Sequence, residues 1–328
     1  MTKRWSVVAL LIISSVIFII ATAGGAVRIP WTAFLFQEEG VYTSILWQIR
    51  MPRVVLAALI GGALAISGVV MQSLLQNPLA DPFTLGVSSG AAVGATLAIA
   101  FSFSFFGSWT IVGFATLGAL FAMVLVLVLT RFIDTQMRME TLLLVGVMMG
   151  AFLSAITSLI LLFSPDETRP ILFWLMGSVS MKGWSAVVII APIIVIFSLY
   201  IWSQARALNA FSLGEQEAHI VGVDVKRFKR NMFVAVSLLV GSAVAFSGMI
   251  GFVGLIVPHV TRLFVGFHHK YVLPLSFLNG ASFLMLADWI GRTVLAPTEL
   301  PLGTMTSLIG VPVFLIVYIH LRKEAYHA

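Results

Sequence analysis

Residues 54–130 hold a single charged side chain, Asp81. Soluble domains carry about 25% charged residues, so a stretch of this length cannot supply a water-exposed surface. The rest of the chain does not compensate, since 60% of all residues are hydrophobic and only 10% are charged. A soluble enzyme, a disordered scaffold and a nucleic-acid binder are thereby excluded. In a bilayer the backbone must satisfy itself, and helices do so over runs of about 20 residues. The expectation is an all-α integral membrane protein forming one polytopic domain over residues 1–328.

The span count follows from the breaks. Residues 5–27 are uncharged and form a longer run than the roughly 7–15 apolar residues of a signal peptide, so they are retained as the first span. Residues 54–130 make three spans, interrupted at Asn77-Pro78-Leu79-Ala80-Asp81-Pro82 and near Gly107. Residues 141–163 and 184–203 are the fifth and sixth, while 170–177 are too short to cross and read as a re-entrant or interfacial helix. Residues 231–257, a short 254–266 segment interrupted by Pro258 and His259, then 272–290 and 304–321 complete ten. With the N-terminus inside, thirteen Lys and Arg face inward and six (Arg28, Arg50, Arg53, Arg169, Lys182, Arg292) outward, which obeys the positive-inside rule and leaves both termini cytoplasmic.

Gly61, Ala63, Ala65, Ser67 and Gly68 read G-x-A-x-A-x-S-G, and the pattern returns 180 residues later at Gly241, Ala243, Ala245, Ser247 and Gly248. The same offset relates Pro78 to Pro258 and Gly86 to Gly266. The copies run in opposite directions through the membrane, the mark of an inverted repeat, with halves at about 54–163 and 231–321. Chance in a chain rich in small residues, or close helix packing alone, are the plainer readings.

Enzyme chemistry is missing. There is no H-E-x-x-H, nucleophile elbow or Walker A sequence, no carboxylate pair within one span, and no cysteine. ATP-driven transport would place hydrolysis on another polypeptide. An ion-coupled secondary transporter usually carries ionisable groups in mid-membrane. Only Asp81 and Asp288 come near, and Asp288 stands four residues before Arg292, the spacing of a helical ion pair. His259, one turn before Arg262, reads as a polar cap at a helix break rather than a haem or iron ligand.

Two polar regions stand out. Residues 204–230 read as two ordered inner helices, with a Ser212/Glu215 capping box, a helix end at Gly222 and a cap at Asp224. Such a pair could take the push of a motor subunit, or be a positive-inside loop with incidental helicity. On the outer side Arg50 and Arg53 bracket Met51-Pro52, and Arg292 ends a span. These cations suit either headgroup anchoring or bidentate recognition of a docking protein's carboxylates.

At this point the sequence resembles a known family. R-M-P-R (50–53), G-G-A-L-A-I-S-G-V-V-M-Q (61–72), N-P-L-A-D-P-F-T-L-G (77–86) and W-L-M-G-S (174–178) run in family order. They are followed by L-G-E-Q-E-A-H-I-V-G-V (213–223), F-V-G-L-I-V-P-H-V-T-R (252–262), A-D-W-I-G-R (287–292) and E-L-P-L-G (299–303). Together they resemble the FecCD-type permease subunits of ATP-driven importers for iron–siderophores, haem and vitamin B12. The resemblance implies a multi-pass protein of the bacterial plasma (inner) membrane, paired with a second permease, identical or paralogous. It implies two cytoplasmic ATP-binding subunits, which hold the ATP and magnesium, and an extracytoplasmic substrate-binding protein; this chain itself needs no cofactor or metal. By resemblance, Arg50, Arg53 and Arg292 receive the binding protein. Leu213, Gly214, Glu215, Ala218 and Gly222 belong to the ATPase-coupling helix, and Asn77 and Leu79 to the cytoplasmic gate. The wording of residues 81–86 leans towards ferric siderophores.

Overall fold

The computed structural model describes residues 3–25, 40–107 and 109–327, with side chains from residue 7 to residue 316. Arg28 lies outside the described residues, as do the side chains of Lys3, Arg4, Arg322 and Lys323. No strand occurs among the described residues. The helices are α1 (Lys3–Ala23), α2 (Val41–Leu74, with a π-helical stretch at Ile45–Arg50), α3 (Val87–Ala100), α4 (Trp109–Ile133), α5 (Met139–Phe163) and α6 (Thr168–Leu175). There follow α7 (Gly183–Ser203), α8 (Ala205–Phe211), α9 (Glu215–Ile220), α10 (Val225–Ser247), α11 (Val253–Val265), α12 (His269–Thr293) and α13 (Leu302–His327).

Six of these, α2, α4, α5, α7, α10 and α12, are long and apolar enough to cross a membrane, and within the described residues α1, α3, α11 and α13 contribute shorter apolar stretches. The sum is the ten expected. α6 is the expected short helix, two residues earlier than its sequence suggests.

Burial sorts the bundle into a centre and a periphery. In α2 and α10, 83% and 78% of the most apolar window is buried, against 33% or less in α4, α5 and α7, which therefore turn apolar faces outward. α2 is the hub, packed on α7, α10, α11 and α12. Its small residues make that possible. A Cβ on Gly61 would collide with the Gly280 carbonyl of α12, and a Cβ on Gly280 with the Gly61 carbonyl. Gly68 meets the backbone of Gly254 in α11 in the same way. Without a water-driven hydrophobic term inside lipid, such backbone approach supplies the dispersion contacts that hold helices together.

Three expectations need correction. The seventh span stops at Ser247, ten residues short of the expected 257, because Gly248 takes φ +70° and packs so closely that a Cβ there would collide with the Trp174 carbonyl in the last turn of α6. The chain then starts α11 afresh, and that helix runs unbroken through Pro258. Pro258 cannot donate to the carbonyl four residues back, at Gly254, and Gln72 Nε2 reaches that oxygen at 3.4 Å and Leu255 O at 3.0 Å. The repeat offset of 180 also fails in structure. Gly86 precedes α3 whereas Gly266 terminates α11, and Pro78 lies in a turn whereas Pro258 lies in a helix. What recurs is the order long, short, long, long (α2–α5 and α10–α13), and each short helix starts from a left-handed residue, Gly86 or Phe252.

Candidate functional site

One end of the bundle gathers the three arginines of the sequence reading around Asp288. Arg53 Nε and Nη2 reach Asp288 at 2.8–3.1 Å, and Arg53 Nη1 reaches Glu299 Oε1 at 2.8 Å. Arg292 Nε lies 3.3 Å from Asp288 Oδ2, an oxygen it shares with Arg53, and makes the helical pair expected from spacing. Arg292 also donates to the carbonyls of Gly24 (2.7 Å) and Ala21, while Arg50 Nη1 donates to Ala23 O at 2.6 Å. Those carbonyls belong to the last turn of α1 and just beyond it, where a helix leaves acceptors unsatisfied. The network therefore seals α1, α2 and α12 together. All three arginines are largely buried, Asp288 is 3% exposed, and Glu299 at 46% is the open carboxylate of the set. Sequence reasoning quoted Glu299 within a motif but gave it no role.

Glu299 also accepts from Ser180 Oγ at 2.6 Å, which ties the α12–α13 connection to the segment after α6. Burial works to raise its pKa, but hydrogen bonds from Arg53 and Ser180, with the Arg53 charge, outweigh that and hold the carboxyl below its usual range. A depressed carboxyl adds stability that is complete above its unfolded pKa, about 4.3, and is lost as pH falls through the folded value. Acidification from about pH 7 to about pH 5 should leave this tie intact. Below about pH 4 hydrogen exchange over residues 295–302 should accelerate.

Beside this network opens a cavity of about 610 Å³, lined by Phe103, Phe173, Trp174 and Phe246 with Ser178, Ser180, Lys182 and Glu299 at its polar edge. Burial pushes the Lys182 ammonium down. The rim is built by backbone: the first amides of α13, Leu302 and Gly303, donate to the carbonyls of Gly177 and Met176 at 2.9 Å, and Ser178 N donates to Ser247 O at 2.7 Å.

The opposite end carries the polar loop. α8 is fastened to the hub: His269 N and Nδ1 meet Asn209 Oδ1 at 2.9 and 2.8 Å, His269 Nε2 lies 2.6 Å from Ser73 Oγ, and Gln76 Nε2 donates to Phe211 O. α9 is fastened to α10 by Lys229 Nζ on Glu215 Oε1 at 2.6 Å. The expected Ser212/Glu215 capping box does not form. Ser212 donates back to Leu208 O at 2.9 Å, Gly214 takes the N-cap position, and Lys229 claims the Glu215 carboxylate. The Asp224 cap does form, onto Arg227 N at 3.1 Å, but it starts the long α10 rather than a second short helix. Ala218 is buried, whereas Leu213, Ile220 and Val221 stand exposed around the turn at Gly222, whose φ is +89°.

Next to the loop, Asn77 makes an Asx turn onto Leu79 N at 2.9 Å, and Leu79 is half exposed. Asn77 borders a second cavity, of about 570 Å³, with Gln72, His259, Arg262 and His269. His259 is not a cap. It lies within α11, with both ring nitrogens buried without a hydrogen-bond partner and its ring in a T-shaped contact with Phe314. Among the described residues no group of three or more His, Cys, Asp or Glu side chains could hold a metal.

The sequence profile of the FecCD transport family matches residues 9–320. The chain belongs to the FecCD transport family. It is 47% identical over 289 residues to an uncharacterised ABC transporter permease protein, YvrB, of Bacillus subtilis, covering 88% of this chain and 82% of the relative. It is 43% identical over 274 residues to the cobalamin import system permease protein BtuC of Halobacterium salinarum, covering 83% and 72%. A solved ABC transporter assigned to the metal-chelate type, in an inward-facing conformation, superposes with a TM-score of 0.85 at 32% identity over 95% of this chain and 98% of its own. This FecCD chain is thus a multi-pass ABC importer permease. In this FecCD chain the separate motifs meet in space: R-M-P-R, A-D-W-I-G-R and E-L-P-L-G form the network around Asp288, and W-L-M-G-S supplies the carbonyls that start α13.

Proposed function

We propose that this FecCD permease imports ferric siderophores, driven by ATP hydrolysed with magnesium on two separate cytoplasmic subunits and fed by an extracytoplasmic substrate-binding protein. The observation that carries the substrate class is the 32% identical metal-chelate-type structure, which this chain matches over 95% of its length. Cobalamin is the second reading, favoured by the 43% identical cobalamin permease; haem would use the same architecture. The protein sits in the bacterial plasma membrane with both termini cytoplasmic, the arginine network outside and α8–α9 inside. A second permease, identical or paralogous, covers the exposed apolar side chains Leu144, Met148 and Phe152 of α5, with the path between the two copies.

Each group of residues then has a task. Arg50, Arg53 and Arg292 receive the binding protein. Leu213, Gly214, Glu215, Ala218 and Gly222 meet the ATPase, which presses on the exposed Leu213, Ile220 and Val221. The Lys229–Glu215 and Asn209–His269 contacts pass that push to α10 and α12. Asn77 and Leu79 close the inner end. The halves rock between access states as the motor closes.

Two experiments bear on this. Gly222→Val forces a β-branched residue into left-handed backbone, at about 1–2 kcal/mol. It is expected to leave the ATPase subunits bound but lower uptake per ATP hydrolysed, measured in proteoliposomes; Glu215→Ala should do the same by freeing α9 from Lys229. Unchanged coupling in both variants would remove the coupling assignment. Radio-iron uptake from a panel of ferric siderophores, with haem and cobalamin in parallel, should show selective loss of one siderophore in a gene deletion. Loss of cobalamin or haem uptake alone would keep the architecture and overturn the substrate.

A further inference from the structure

We infer that Glu299 is an internal stand-in for a docking carboxylate: it occupies on Arg53 the place that an acidic side chain of the substrate-binding protein takes, and its displacement unlatches the rim of the outer cavity. The inference rests on the docking reading above and names the group through which docking acts.

Two carboxylates hold the Arg53 guanidinium, and they differ in access. Asp288 occupies Nε and Nη2 from a position 3% exposed, while Glu299 occupies Nη1 from a position 46% exposed. The Arg53 side chain itself is 12% exposed. An incoming acid therefore reaches the guanidinium where Glu299 now sits. Asp288 cannot be the group exchanged, because it also pairs with Arg292 and its removal would strand two buried cations. Exchange of Glu299 for another carboxylate keeps the charge around Arg53 unchanged.

The exchange has a mechanical consequence. The oxygen of Glu299 that does not bind Arg53 accepts from Ser180 Oγ at 2.6 Å, so one side chain straps the α12–α13 connection to the segment following α6. Both strands of that strap border the 610 Å³ cavity, which is lined by Ser178, Ser180 and Lys182 on one side and Glu299, Leu300 and Pro301 on the other. When Glu299 leaves Arg53 the strap loses its fixed point. The backbone bonds from Leu302 to Gly177 and from Gly303 to Met176 remain as the hinge. Docking and loosening of the cavity mouth are then one event.

The test uses the assembled transporter in nanodiscs with the substrate-binding protein that supports its uptake. Glu299→Gln removes the competing charge and keeps the side chain's shape; it is expected to bind that protein about fivefold tighter. Without the binding protein, Glu299→Gln should show hydrogen exchange over residues 178–182 and 295–301 as fast as the docked wild type. Ser180→Ala, which leaves Glu299 on Arg53, should accelerate exchange at residues 178–182 with a smaller change in affinity. Equal or weaker binding by Glu299→Gln, with docking still abolished by Arg53→Glu, would overturn the exchange and leave the docking reading standing. Undiminished docking by Arg53→Glu would remove the docking reading and the exchange with it. Tighter binding without any change in hydrogen exchange would overturn the unlatching.

Discussion

Asp288→Asn is expected to destabilise the protein by about 3–5 kcal/mol, the usual cost of removing one partner from a buried ion pair, and to do so by releasing α1 as well as α12. Asp288 is 3% exposed and faces two guanidinium groups, Arg53 and Arg292, which are themselves largely buried. Both arginines would keep their desolvation penalty and lose the charge that offsets it. Asparagine preserves the shape and one acceptor, so the loss reports charge rather than packing. Thermal inactivation in a fixed detergent measures it. The paired control replaces Arg53, Asp288 and Arg292 together with Met, Leu and Met. Apolar replacement of a buried ion triad is often neutral, so this triple variant should recover most of the lost stability while failing to dock a binding protein. A triple variant as unstable as Asp288→Asn would show that hydrogen bonding to the α1 carbonyls, rather than charge balance, holds this end.

Gly68→Val is expected to damage the small-residue helix contacts severely, costing about 3 kcal/mol. A Cβ at this position would run into the backbone carbonyl of Gly254, and backbone cannot step aside as a flexible side chain can. α11 would have to lift from α2, taking with it the Gln72 hydrogen bonds to Leu255 and Gly254. Gly61 against Gly280 should behave alike. Gly113 provides the contrast: a Cβ there meets nothing within 4 Å, so Gly113→Ala should stabilise α4 by roughly 0.4–1 kcal/mol. Melting temperatures of the three variants side by side decide whether glycine acts here through backbone approach or through helix propensity.

How much of this was legible in the sequence depends on the range of the interaction. Apolar runs report the solvent directly, which is why ten helices and the short α6 could be read from residue order. Asp288 and Arg292 pair four residues apart within one helix, so spacing was enough. Arg53 and Glu299 are 246 positions apart, and no local pattern announces that they touch. The Ser212/Glu215 box failed for the same reason, because a distant cation, Lys229, competed for a carboxylate that local rules assigned to a helix start. The small-residue motif was visible, but its meaning was not. Gly61 and Gly68 mark crossings with α12 and α11 in mid-helix, whereas Gly248 ends α10, so similar letters serve different geometry.

The most direct measurement of the central claim is uptake into proteoliposomes that contain this permease with its ATP-binding subunits, supplied outside with the substrate-binding protein loaded with a radio-iron siderophore. Uptake should require ATP and magnesium on the cytoplasmic face, persist when ionophores collapse every ion gradient, and fall to background with Arg53→Glu. Uptake that follows an ion gradient and ignores ATP would contradict the assignment of this chain as an importer permease driven from another subunit.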